Sequence, residues 1–108
     1  MSESEPKITP HESFPECMVK DYGAEVLTFE AHHGVIDEKG RKVGGRAEIW
    51  PLFSGYAVKI HATRDGVAFG ATRRASMYRD LEKACNAAVG KLNVQRINFR
   101  LKYAPKEP

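Results

Sequence analysis

Residues 55–92 constrain the fold most, because the registers of two β-hairpins can be read within them and just before them. Asp65-Gly66 divides two alternating runs, and an Asp-Gly pair favours a two-residue type I′ turn, which needs positive φ at both positions. This turn pairs Arg64 with Val67. Opposite residues of an antiparallel pair share a face of the sheet. The pairing therefore collects apolar side chains on one face: Val58, Ile60, Ala62, Phe69 and Ala71.

A second hairpin is predicted one strand earlier, with Ser54-Gly55 as its loop. This register places Trp50 opposite Lys59, on the face of the sheet that points away from the helix described next. His61 falls on the same outer face. The apolar face gains two further residues, Ala47 and Ile49.

Apolar residues then recur at three- and four-residue steps, which predicts an amphipathic helix with one buried stripe. Ser76 is the expected N-cap, because its hydroxyl can accept a hydrogen bond from an early backbone N–H. Gly90 weakens the last turn, so the helix is expected to end between Gly90 and Asn93. The stripe consists of Met77, Leu81, Ala84, Cys85, Ala88, Val89 and Leu92.

Two flanking segments alternate between apolar and polar residues and are predicted to be strands. Residues 27–31 form the first, and residues 96–103 form the last, with one cationic face. The sequence therefore predicts an α+β fold. Its antiparallel β-sheet has four to five strands in the order 5-1-2-3-4, with one amphipathic α-helix packed on one face.

The chain of 108 residues is long enough for one domain, which we expect to span residues 21–103. Residues 1–20 are polar and contain prolines, so they are predicted to be a disordered tail, as are residues 104–108. No apolar run is long enough for a membrane span, and the acidic start does not resemble a secretory signal. Two cysteines give no disulfide framework, so a cytoplasmic protein is expected.

The charge of the chain is distributed unevenly. Residues 1–55 carry six Lys/Arg and ten Asp/Glu, whereas residues 56–103 carry ten Lys/Arg and three Asp/Glu. In the basic half, Arg73 and Arg74 precede the expected helix start and Arg79 follows one turn later. Backbone N–H groups at a helix start, together with adjacent arginines, can receive a phosphate. The three arginines are therefore candidate nucleic-acid contacts, although a solvated loop would have the same composition.

The outer sheet face supplies further candidates. Trp50 lies there with Lys59 and His61, and an aromatic side chain on a lightly basic sheet can stack on a nucleic-acid base. The same tryptophan could instead be covered by the tail or by a second subunit, because Trp is common at interfaces.

Enzymatic and metal sites are not indicated. His32 and His33 are adjacent on a strand and so point to opposite faces, which separates them as ligands of one ion. A Glu48–His61 pair on the outer face could exchange protons, but no nucleophile or oxyanion hole accompanies it. The glycines occur at turns and not in a phosphate-binding loop. We therefore expect no enzyme activity, no cofactor and no metal.

The strand–strand–strand–helix order of residues 46–92 is similar in layout to the double-stranded RNA-binding domain, whose last helix also follows a three-stranded sheet. That family has a lysine-rich start to its last helix and an additional helix before the sheet. Here the expected helix begins Ser76-Met77-Tyr78-Arg79, and strand-like residues come first. The resemblance concerns layout alone.

The sequence favours a small non-enzymatic binding protein that contacts nucleic acid through its basic C-terminal half. The alternative is a protein–protein interaction or accessory module that uses the outer sheet face around Trp50. A homodimer is also expected, because one helix covers two or three strands and would leave part of a five-stranded apolar face open.

Overall fold

The computed structural model describes residues 5–70 and 74–105. This part of the chain forms one antiparallel sheet and one long helix. The strands before the helix are β1 (Lys7–His11), β2 (Phe14–Asp21), β3 (Leu27–Ile36), β4 (Lys42–Leu52), β5 (Gly55–Arg64), β6 (Val67–Phe69) and β7 (Ser76–Tyr78). The helix α1 (Leu81–Lys102) follows, and β8 (Ala104–Pro105) comes after it.

Strands β1 to β6 lie side by side in chain order, and each is antiparallel to the next. Strand β7 pairs with β5 beside β6, and β8 pairs with β3 beyond the end of β2. The antiparallel sheet with one helix agrees with the sequence prediction. The predicted four to five strands in the order 5-1-2-3-4 are wrong, because the described residues form eight strands and the long ones are joined by hairpins into a meander.

Strand β1 and all of β2 except its last residue lie within residues 1–20, which were predicted to be a disordered tail. For residues 7–20 that prediction is wrong, because β2 contributes two buried side chains, Phe14 and Cys17, to the core. These strands are hard to predict from the sequence because they contain prolines, which lack a backbone N–H donor. Pro10 lies on β1 at the edge of the sheet, where a missing backbone donor is tolerated. Residues 104 and 105 of the predicted C-terminal tail form β8, while 1–4 and 106–108 lie outside the described residues.

The helix begins later and ends later than its sequence pattern predicts. Ser76 lies in β7, and the N-cap is Asp80, whose carboxylate accepts a hydrogen bond from the Lys83 backbone N–H at 2.9 Å. The predicted last strand, residues 96–103, is instead mostly the end of α1. Gly90 does not stop the helix, because its position is open and it adopts helical backbone like its neighbours. The last strand of the predicted sheet order therefore does not exist.

The Asp65-Gly66 turn is confirmed, since Arg64 pairs with Val67 and both turn residues have positive φ, 49° and 83°. The predicted partner of Ile60, Ala71, lies outside the described residues. The earlier hairpin is displaced by two residues, so that Leu52 pairs with Gly55 and Trp50 pairs with Ala57. A shift of two keeps every side chain on its predicted face. Gly55 belongs to the strand because β7 approaches it closely: an added Cβ would lie 2.3 Å from the Tyr78 carbonyl oxygen.

The sheet curls around α1, which packs on the concave face against β3, β4 and β5. Small residues on the helix allow this close approach, and Leu92 completes the contact. Burial of apolar side chains between the two layers is the main stabilising term for a domain of this kind. The buried core consists of Phe14, Cys17, Phe29, Ala31, Ala47, Ile49, Val58, Ala84, Ala88 and Leu92.

Candidate functional site

A cavity of about 550 Å³ opens between α1 and the edge of the sheet formed by β5 and β6. We call it the helix–sheet pocket. Its floor is apolar and contains two aromatic rings, while polar side chains stand around its mouth. The floor comprises Val58, Ile60, Ala62, Phe69 and Phe99, and the mouth comprises Arg74, Ser76, Lys91, Asn98 and the exposed Val94.

The pocket exists because the outer edge of β5 is only partly covered. Strand β7 pairs with residues 56–58 and β6 pairs with residues 62–64. Among the described residues, no strand pairs with 59–61 on this edge, so the side chain of Ile60 borders an opening instead of a neighbouring strand. An opening in the sheet beside a helix is a common place for a ligand cavity.

Two cations stand at the mouth of the helix–sheet pocket. Arg74 is exposed, and the exposed Lys91 donates a hydrogen bond from Nζ to the Ser76 hydroxyl at 3.1 Å. None of the described residues that line the pocket is acidic. The mouth is therefore a region of positive potential above an apolar floor, an arrangement that suits a ligand with an anionic and an apolar part.

The back of the pocket is held by the side chain of Gln95. Its Nε2 donates to the His61 carbonyl oxygen at 3.3 Å, and its Oε1 lies 2.8 Å from His33 Nε2. Because the amide nitrogen is already the donor to His61, Oε1 must accept, and His33 Nε2 therefore carries the proton. His33 is buried, and burial lowers its pKa further than the Gln95 hydrogen bond raises it. The Gln95 side chain is thus held in place by its two hydrogen bonds, and its amide group is not available to bind a ligand.

The outer face carries Trp50, Lys59 and His61 together, as the alternation of the strands predicts. All three are half-buried. His61 Nε2 lies 2.9 Å from the Glu48 carboxylate, and Lys59 pairs across the strands with the same glutamate. The sequence predicted that these residues share one face and that Glu48 pairs with His61, but it placed Lys59 opposite Trp50 and not opposite Glu48.

A chain of ion pairs extends this matching across the outer face. Glu30 on β3 contacts Lys20 on β2, and it also contacts Arg46 on β4 at 3.3 Å. Burial alone would raise the pKa of Glu30, but hydrogen bonds and charge from Lys20 and Arg46 lower it below its usual value. The outer face is therefore close to electrically neutral, and it is a poor platform for a polyanion.

The two described candidate arginines, Arg74 and Arg79, occupy different sites. Arg73 lies outside the described residues, Arg74 is at the mouth of the helix–sheet pocket, and Arg79 is exposed next to Asp80. The Asp80 carboxylate already accepts from a first-turn N–H, so a phosphate there would meet a negative charge. Lys91, which sequence reasoning placed only on a solvated helix face, joins Arg74 instead.

A second depression, of about 650 Å³, lies beside the β-bulge of β3. It is bordered by the buried His33 and by glycines of β4. Its charged residues include both signs: Glu16, Glu30, Lys42, Asp65 and Arg100. This mixture favours no one class of ionic ligand.

Comparison with protein-family models, with curated proteins and with solved structures found no match to this chain. Within residues 5–70 and 74–105, no three His, Cys, Asp or Glu side chains are grouped closely enough to hold a metal ion. No helix in the same ranges combines the length and apolar character that crossing a membrane requires.

Proposed function

We propose that this protein is a non-enzymatic binding protein that binds nucleic acid at the helix–sheet pocket. The observation that carries the proposal is the pairing of Arg74 and Lys91 at the mouth of an apolar cavity whose floor includes Phe69 and Phe99. The cations would contact phosphates. The floor would hold an unstacked base, because aromatic side chains stack on every base.

The size and surroundings of the cavity support this assignment. Its volume of about 550 Å³ falls within the roughly 300–1,000 Å³ of typical ligand pockets. On the helix that forms one wall, residues 92–102 add three basic residues to Lys91 and include no acidic residue. A base can enter such a cavity only from a single strand, loop or bulge, since bases in a duplex are stacked and paired. We therefore propose single-stranded nucleic acid as the partner.

The test is a titration of labelled single-stranded oligonucleotides, followed by fluorescence anisotropy at several salt concentrations. The double variant Arg74→Ala, Lys91→Ala should bind more weakly, and its plot of log affinity against log salt should lose about 0.7 of slope per phosphate contact removed. The control is Lys7→Ala, Lys39→Ala, which removes the same charge from exposed positions that do not line the pocket. An equal loss in both variants would show non-specific attraction, and no binding by the wild type at low salt would end the proposal.

A second candidate is a protein–protein interaction module that uses the outer face around Trp50. The observation in its favour is that Glu30 forms ion pairs with Lys20 and Arg46 on this face, which therefore suits a protein partner better than a polyanion. Trp50 is the only tryptophan, so its fluorescence distinguishes the two faces. A protein partner bound to the outer face should change this emission, whereas an oligonucleotide bound at the helix–sheet pocket should leave it unchanged.

The proposal includes a cytoplasmic, reducing location. Both cysteines are free thiols, with Cys17 in the core and Cys85 half-buried on α1. Burial raises the pKa of Cys17 to about 11, which keeps it protonated and unreactive. Two unpaired thiols in a small domain fit a compartment in which disulfides are not formed.

A further inference from the structure

The helix α1 carries a second apolar stripe that the fold does not use. It lies on the side of α1 away from the core residues Ala84, Ala88 and Leu92. Its three large members are solvent-exposed: Val94 at 58%, Ile97 at 54% and Leu101 at 85%. We call this set the outer helix stripe, and it comprises Ala87, Gly90, Val94, Ile97 and Leu101.

The spacing of the outer helix stripe is that of a helix–helix seam. Successive members are separated by three, four, three and four residues, which is the a/d pattern of a coiled coil over two heptads. A helix face that meets only water has no need of this regular apolar pattern, and contiguous apolar patches commonly mark interaction sites. At about 1.5 Å per residue, the seam is about 21 Å long.

We propose that the outer helix stripe pairs with the same stripe of a second copy, in an antiparallel arrangement about a two-fold axis near Val94. Size complementarity favours this occupant. The small residues Ala87 and Gly90 stand at one end of the stripe, and Ile97 and Leu101 stand at the other. Antiparallel pairing places the small side chains of one copy against the large side chains of the other at both ends of the seam. Parallel pairing would leave a gap between the small residues at one end and crowd the large residues at the other.

The charges on α1 favour the same arrangement. The first turn carries both Glu82 and Lys83, whereas the last turn is basic at Arg100 and Lys102. Antiparallel pairing keeps the two basic last turns apart, whereas parallel pairing would place them side by side, and it also opposes the two helix dipoles. The positions that flank the seam include the uncharged residues Asn86, Asn93 and Asn98.

The pairing would also affect the helix–sheet pocket, although it does not rest on the proposed function. Gly90 and Val94 belong to the stripe and also line the pocket. The helix of the second copy would therefore border the mouth of each pocket. Both basic mouths would lie on the same side of the dimer.

Mass measurement over a concentration series tests the pairing. Sedimentation or light scattering should show a concentration-dependent dimer for the wild type, and Ile97→Glu should raise the dimer dissociation constant by at least about tenfold. The matched control is Ile8→Glu, because Ile8 on β1 is also 54% exposed but lies outside the stripe. A wild-type monomer at high micromolar concentration would overturn the proposal, as would equal effects of the two variants.

Cysteine crosslinking tests the direction of the pairing and does not depend on a variant that might unfold. In a Cys85→Ala background, Val94→Cys should form a disulfide-linked dimer under mild oxidation. Ala87→Cys and Leu101→Cys should crosslink efficiently when mixed and poorly when each is alone. Efficient crosslinking of each alone and not in the mixture would show parallel pairing and overturn the antiparallel arrangement.

Discussion

The side chain of Gln95 lies so close above Gly45 that a Cβ on the glycine would fall 1.8 Å from Gln95 Oε1. This contact lets one side chain cross strand β4 and join its two neighbours, through His33 on β3 and the carbonyl of His61 on β5. Because position 45 has no side chain, Gln95 can connect α1 to three neighbouring strands.

Gly45→Ala should destabilise the protein by about 1–3 kcal/mol, the usual range for overpacking a core. The new methyl group would also lie 2.9 Å from Leu92 Cδ2, so a movement of Gln95 alone would not relieve the overpacking. Urea unfolding measures the loss. The control is Gly90→Ala on the open face of α1, which should stabilise by about 0.5–1 kcal/mol through helix propensity.

A double-mutant cycle with Gln95→Ala separates this clash from general damage to the sheet. If the two side chains conflict directly, Gly45→Ala should cost less in the Gln95→Ala background than in the wild type. Equal costs in both backgrounds would show that the strain arises elsewhere along β4.

The stability of the fold should fall as the pH drops below about 6.5, the ordinary pKa of histidine. Burial, aided by the nearby Arg96 and Arg100, lowers the pKa of His33 in the folded state, so the folded protein binds fewer protons than the unfolded chain. The contribution of His33 to the unfolding free energy is therefore complete above pH 6.5, and it is lost as the pH falls toward the folded-state pKa of this histidine. Denaturation midpoints measured between pH 8 and pH 5 test this.

His33→Gln should flatten this pH dependence, at the expense of some stability at neutral pH. His32→Gln is the matched control, because His32 is the exposed neighbour on the same strand and should leave the slope in place. Retention of the full slope in His33→Gln would assign it to another group.

Removing residues 1–21 should prevent stable folding, because β1 and β2 would be lost and the aromatic ring of Phe29 would be uncovered. Removing only residues 1–6 leaves every described strand intact and should change the unfolding free energy little. Circular dichroism and thermal melts of the two truncations compare them directly. A stable, cooperative fold for the longer truncation would refute the structural role of the N-terminal strands.

Asp80→Ala should lower stability by roughly 0.5–2 kcal/mol, the usual cost of losing an N-cap. Ser76→Ala should cost less, because Ser76 accepts only an exposed hydrogen bond from Lys91. Thermal unfolding of the two variants decides which residue caps α1. A larger loss for Ser76→Ala would restore the helix start that the sequence pattern suggests.

Local turn chemistry made the centre of the sheet predictable. The register at Asp65-Gly66 follows from a positive-φ turn, the faces of Ala47, Ile49, Trp50 and of residues 58–62 follow from two-residue alternation, and both hold in the structure. The displaced hairpin at Phe53-Ser54 was missed because its register depends on β7, whose backbone closes over Gly55. The sequence of residues 53–55 contains no feature that predicts the contact between Gly55 and the β7 backbone.

The end of the helix and the N-terminal strands could not be predicted from local pattern. Ile97, Phe99 and Leu101 alternate like a strand, but only Phe99 turns toward the sheet, while the other two belong to the outer helix stripe. Only one of the two cations at the mouth of the candidate site could be predicted from the sequence, because Arg74 directly precedes the expected helix start. Lys91 is 17 residues away in sequence and comes near Arg74 only because α1 crosses the edge of β5.

The position of α1 after seven of the eight described strands has a consequence for synthesis on the ribosome. Val58 emerges 34 residues before Leu92, the helix residue that completes its cover. At about 5–20 residues per second, the nascent sheet exposes its concave apolar face for roughly two to seven seconds. During that interval Phe29, Ile49 and Val58 form an exposed apolar surface on an incomplete chain, and this is the period in which the chain is most prone to aggregate.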